Sequence, residues 1–174
     1  MKRVSTLVLL FPALLILSTL QAQESPYVHA QQREIKALSP EEVAGYLAGE
    51  GMGFALAAEL SSYPGPKHTL ELAEPIGLTP RQRTETQRVF EVMRQAAIRL
   101  GGEIVARERQ LDSLFAHGSI TQDQLRGLVN DLARLRGELR YAHLRAHLEM
   151  KQILTPEQVR RYVGLRGYHK GEHH

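Results

Sequence analysis

The chain has 174 residues, a formal net charge of +3 and no cysteine, which excludes disulfides, thiolate metal sites, cysteine nucleophiles and a lipid-modified cysteine leader. Lys2 and Arg3 carry two of those charges, so the rest of the chain stands at +1 and has little with which to capture nucleic acid.

Residues 1–22 read as a secretory signal peptide. A basic start precedes an uncharged run from Val4 to Leu20, and Ala22 is a plausible cleavage point before Gln23. The alternative is a retained membrane anchor, which Pro12 disfavours. The expected address is the periplasm. Residues 23–37 form an N-terminal extension, residues 38–168 a helical domain and residues 169–174 a tail with His169, His173 and His174.

Four short stretches predict helix starts: "LSPEE" from Leu38, "LTPRQ" from Leu78, "ITQDQ" from Ile120 and "LTPEQ" from Leu154. A helix start leaves backbone N–H groups without partners. A Ser or Thr side chain accepts from one of them, and a Glu or Gln three residues on reaches back, which is the capping box. Ser39 with Glu42, Thr79 with Gln82, Thr121 with Gln124 and Thr155 with Gln158 fit the pattern. Pro40, Pro80 and Pro156 fall at the first helical position, where a missing N–H costs nothing. Leu38 with Val43, Ile120 with Leu125 and Leu154 with Val159 are spaced as hydrophobic staples; Leu78 would face Arg83 and lacks one.

Between the first two starts lies a different kind of sequence, "GYLAGEGMGFALAAELSSYPGPKHTLELAEPIGL". Gly49, Gly51 and Gly53 surround Met52 with no preceding strand and no following Lys-Ser/Thr, so a phosphate loop is disfavoured and a joint between short helices expected. A further short helix is expected after Pro66.

The segment after Thr79 repeats Phe90, Ala97, Ile104 and Leu111 at seven, with Met93, Leu100 and Leu114 in the companion row. The segment after Thr121 does the same with Leu125, Leu132, Leu139, Ala146 and Ile153, and with Leu128, Leu135 and Ala142. These are helix-period apolar stripes over about four heptads. Gly101 and Gly102 mark a place for a bend, and Gly118 a stop. The short "HGSI" connection makes the two helices antiparallel. No stretch beyond the leader alternates convincingly like a strand, so the fold class is all-α: an elongated antiparallel helical hairpin with short flanking helices. Two rods cannot bury both stripes alone. The short helices must cover them, or a second copy must, and a homodimer is expected.

No catalytic constellation is visible, neither a Gly-x-Ser-x-Gly elbow nor a His-Glu-x-x-His. The carboxylates are read as solvent-facing partners of charge pairs such as Glu103 with Arg107. The best chemical candidate is "HLRAH": His143 and His147 stand one helical turn apart and could share a divalent zinc, copper or nickel ion, with Glu149, Met150 or another subunit as a third ligand. The heptad register puts both on the flank and outer face of their helix. Arg126, Arg134, Arg136, Arg140 and Arg145, interleaved with apolar residues, are the second candidate, a basic and greasy surface for unfolded or partner proteins.

An exported, cysteine-free, all-helical chain with Leu78-Thr79-Pro80-Arg81-Gln82 and Leu154-Thr155-Pro156-Glu157-Gln158 flanking a long hairpin resembles the Spy/CpxP family of periplasmic proteins over roughly residues 70–168. The resemblance implies a hairpin that dimerises into a thin curved cradle, acting as an ATP-independent chaperone or envelope-stress regulator. It implies no enzyme activity, no required cofactor and no nucleotide, with a membrane sensor kinase as a possible partner. ZraP-like and CnrX-like relatives imply the alternative, a heavy-metal binding or sensing protein. Leu78, Thr79, Gln82, Leu154, Thr155 and Gln158 carry over as helix-start and packing residues. The stretch "GMGFALAAELSSYPGPKH" has no counterpart in that pattern.

Overall fold

The computed structural model describes residues 25–168; the leader and the histidine tail lie outside the described residues. Among the described residues a 3-10 turn, Val28–Ala30, precedes seven α-helices: α1 Pro40–Ala48, α2 Leu56–Glu59, α3 Pro66–Glu71, α4 Ala73–Ile76, α5 Pro80–Ala116, α6 Gln122–Ile153 and α7 Pro156–Leu165. The fold is all-α. No strand occurs among the described residues, and none of their helices is long and apolar enough to cross a membrane.

All four predicted capping boxes form, each with both reciprocal hydrogen bonds, at Ser39, Thr79, Thr121 and Thr155. Each such cap is worth about 1 kcal/mol. α5 and α6, 37 and 32 residues long, form the expected antiparallel hairpin. Every residue of the four predicted apolar rows is buried or half-buried.

The two Leu-Thr-Pro-x-Gln stretches meet at the open end of the hairpin. The Gln82 side-chain amide donates to Gln158 Oε1 at 2.8 Å, and the Gln158 amide donates back to Gln82 Oε1 at 2.9 Å. Each NH2 group also donates across to the carbonyl that precedes the other stretch: Gln82 to Ile153 O and Gln158 to Gly77 O, both at 2.9 Å. Each Oε1 still accepts from its own cap N–H. Around this clasp, Leu154 and Val159 pack on Val89, Met93, Ala146 and Met150, with Leu78 against the same cluster.

The front section covers the middle of the hairpin. Ile35, Leu38 and Tyr46 join Ala97, Leu100, Ile104, Val105, Leu132, Leu135 and Leu139 in one core. Lys36 pairs with Asp112 and Arg109 with Glu34, both at 2.9 Å. The stripes are therefore covered over this stretch by the chain's own short elements.

Gly101 differs from its sequence reading. α5 runs through it as uninterrupted helix, and a Cβ at Gly101 would lie 2.1 Å from the Tyr46 carbonyl oxygen. The glycine lets the α1 backbone rest on α5. Two charge readings also change. Glu103 pairs with Arg99 at 2.8 Å, while Arg107 crosses the hairpin to Asp131 at 3.3 Å. Glu59 and Glu108 are buried rather than solvent-facing.

Candidate metal centre

His143 and His147 are not on an outer face. They are 3% and 7% exposed, because the stretch from Gly49 to Pro66 folds over that flank of α6. A heptad register describes the α5–α6 seam and carries no information about a third layer. The Phe54 ring stacks on His143 at a centroid distance of 6.1 Å. The Tyr63 carbonyl receives His147 Nδ1 at 2.7 Å. A carbonyl oxygen only accepts, so Nδ1 carries the proton and Nε2 keeps its lone pair in the neutral ring. Gly65 lies against the same ring; a Cβ there would be 3.0–3.2 Å from its Cε1 and Nε2.

The two rings border one cavity of about 620 Å³, which is also lined by Met52 and Met93, by Phe90 and by Glu59, Lys67, Arg94 and Arg166. His143 Nε2 is fully buried with no hydrogen-bond partner. An unpartnered buried polar atom costs roughly 1–3 kcal/mol, which a ligand could recover. Burial, reinforced by the charge of nearby His147, lowers the His143 pKa below its usual value. The ring is thus held neutral, the form that binds a metal.

Beneath the cavity lies a polar knot that sequence reasoning missed. The buried Glu59 carboxylate accepts from the Tyr162 hydroxyl at 2.5 Å, from the Gly65 N–H at 3.1 Å and from the Tyr168 hydroxyl at 3.2 Å. Arg166 Nε stands 3.6 Å from it and His147 Nδ1 also 3.6 Å. Burial and the adjacent carboxylate push the Tyr162 hydroxyl's pKa well up, so it serves as a fixed donor. Glu59 offered no sequence signal beyond being an acid inside the apolar run "FALAAEL". The proposed third ligands are elsewhere: Glu149 pairs with Arg145 and Arg88, and Met150 is fully buried in the core around the clasp. Among the described residues, no three His, Asp or Glu side chains are placed to hold a metal.

The five arginines do not form one free surface. Arg136 donates to buried Glu108 at 2.6 Å, Arg134 pairs with Glu138 and Asp131, and Arg145 pairs with Glu149. Arg126 and Arg140 are exposed. The Leu-Thr-Pro-x-Gln residues stand where the sequence placed them, as caps and packing elements.

A long helical hairpin whose own front section closes over a pair of buried histidines beside one cavity defines the class, a small all-helical protein. Residues 50–161 match the model of a family described as heavy-metal resistance, and the chain belongs to that family. It includes Spy-, CpxP- and ZraP-like proteins. No curated protein and no solved structure matches the chain.

Proposed function

We propose that this is a non-enzymatic heavy-metal binding or sensing protein of the periplasm, with His143 and His147 as the protein ligands around which the site is built. The observation that carries the reading is the burial of both rings on one cavity, with His147 Nε2 left free by the Tyr63 hydrogen bond and His143 Nε2 unpartnered. Neutral imidazoles bind zinc, copper and nickel alike. Within the site, Tyr63 orients the His147 ring, Phe54 seats the His143 ring, and the Glu59–Tyr162 hydrogen bond ties the covering stretch to α7. Ligand uptake would thereby be felt at both ends of that stretch. Equilibrium dialysis against zinc, copper, nickel and silver salts tests the reading. Saturable uptake of at least one ion, weakened by His143→Ala and His147→Ala, is expected; no saturable uptake of any of them overturns it.

Client capture in the manner of the Spy/CpxP subgroup is the second reading. It is favoured by the hairpin tip, where Phe115 and Val129 are 56% and 48% exposed and Arg126 stands free to solvent. The covering of the mid-hairpin stripe by Ile35, Leu38 and Tyr46 weighs against it. In this reading a homodimer would present the surface, and unfolded proteins or a membrane sensor kinase would be the partners. Suppression of aggregation of a denatured substrate in metal-free buffer supports capture; silence without metal leaves the metal role alone.

A further inference from the structure

Beyond the metal-binding reading and independently of it, we infer that the cavity beside His143 and His147 takes a small organic anion, a carboxylate on an apolar body. Lys67, Arg94 and Arg166 line the cavity against Glu50 and Glu59. With the histidines neutral, one positive charge stays uncompensated, which suits a ligand with one negative charge. Glu59 is already engaged by Tyr162, Tyr168 and Gly65, with Arg166 Nε 3.6 Å away. Lys67 and Arg94 are exposed, and neither makes a close ion pair with a carboxylate among the described residues. Two unengaged cations at the mouth of one concavity focus their field into it and draw anions in.

Two independent observations agree. Among the described residues, three buried side-chain polar atoms lack a hydrogen-bond partner, and two of them, His143 Nε2 and Arg166 Nε, belong to residues that line this cavity. A guanidinium nitrogen only donates, so what Arg166 lacks is an acceptor; a neutral imidazole can carry its proton on Nε2 and lack the same thing. A carboxylate supplies it with charge-assisted bonds, about twice as strong as neutral ones. The second observation is apolar. Leu56 and Met52 line the cavity while 55% and 38% exposed, with half-buried Phe90 beside them. An inorganic anion would leave these side chains wet, whereas an alkyl or aryl body removes them from water. The volume of about 620 Å³ falls in the range of small-molecule sites and exceeds what an inorganic anion fills. An anion held there would also offset the charge that the same cations set against a metal ion near the imidazoles.

The test is isothermal titration calorimetry of the full chain in metal-free, low-salt buffer, with octanoate as the probe and octan-1-ol, acetate and inorganic phosphate as comparators. One octanoate per chain is expected, with octanol, acetate and phosphate each bound at least about tenfold more weakly. Lys67→Met and Arg94→Gln should each weaken octanoate roughly fivefold, and the double variant roughly tenfold or more. Leu56→Ser should weaken it several-fold without affecting acetate. Arg99→Gln, on the same helix as Arg94 but outside the cavity and paired with Glu103, should leave it unchanged. Each variant's melting temperature verifies folding. No saturable octanoate uptake, octanol bound as tightly as octanoate, phosphate bound more tightly, or octanoate affinity unchanged in the double variant overturns the inference. Because no metal is present, any of these failures leaves the metal-binding reading to be decided by its own dialysis.

Discussion

The adjacent glycines of α5 should respond to the same substitution with opposite sign. At Gly101 an added Cβ would lie 2.1 Å from Tyr46 O and 2.8 Å from Tyr46 C, against a floor of 3.0 Å that real Cβ contacts essentially never cross. The obstacle is backbone, so no rotamer change relieves it. α1 must move off α5 by about 1 Å, which loosens Tyr46, Leu38 and Ile35 in the core they share with Leu100 and Ile104. Overpacking of this kind costs about 1–3 kcal/mol or more, and the better helix propensity of Ala returns up to about 1 kcal/mol. Gly101→Ala should therefore destabilise by roughly 1–2 kcal/mol, and by more with Val. At Gly102 nothing lies within 4 Å of the added Cβ, so Gly102→Ala keeps the propensity gain of about 0.5–1 kcal/mol. For a chain of this size about 2–4 °C in melting temperature corresponds to each kcal/mol. Thermal unfolding by circular dichroism should separate the two variants by several degrees on either side of the parent. If Gly101→Ala is as stabilising as Gly102→Ala, α1 does not rest on α5 as described.

Further outcomes follow from the polar contacts. Gln82→Ala and Gln158→Ala should each cost about 2–4 kcal/mol, a cap plus unsatisfied partners; a double-mutant cycle by urea unfolding should show a coupling of at least about 0.5 kcal/mol, since the two amides exchange hydrogen bonds. Tyr162→Phe removes the shortest donor to buried Glu59 and should cost about 1–3 kcal/mol by the same measurement. Because His143 has a lowered pKa in the fold, the unfolded chain takes up the proton first. The site's contribution is intact above the ordinary histidine value of about 6.5 and is lost as the pH falls below it towards the folded value. Melting temperatures at about pH 7.5 and about pH 5 should differ less in His143→Gln than in the parent.

What was legible in the sequence is local or periodic. A capping box needs only residues three apart, so all four helix starts were readable. The α5–α6 seam needs only a repeat of seven. The burial of His143 and His147 was not readable, because the stretch that covers them has no period: it is a chain of glycines, prolines and short helical turns whose docking depends on single contacts such as Tyr63 O to His147 and Phe54 on His143. Gly101 shows the same limit from the other side. A glycine pair in a helix reads equally as a bend or as a close approach, and only the position of Tyr46 decides.

The repeated Leu-Thr-Pro-x-Gln stretch has a reason beyond capping. A cap alone uses the glutamine oxygen and leaves its NH2 group idle. Here each NH2 group donates both to the other glutamine and to the carbonyl just ahead of the other stretch, so each copy satisfies the other. One copy could not do this, since the carbonyls at Gly77 and Ile153 are themselves helix-end groups in need of a donor. The clasp fixes the separation of α5 and α6 at their open end, next to the cluster that holds Met93 beside Ala146. Met93 is on α5 and the histidines are on α6. Both line the cavity, so loosening either glutamine should reach it without touching it.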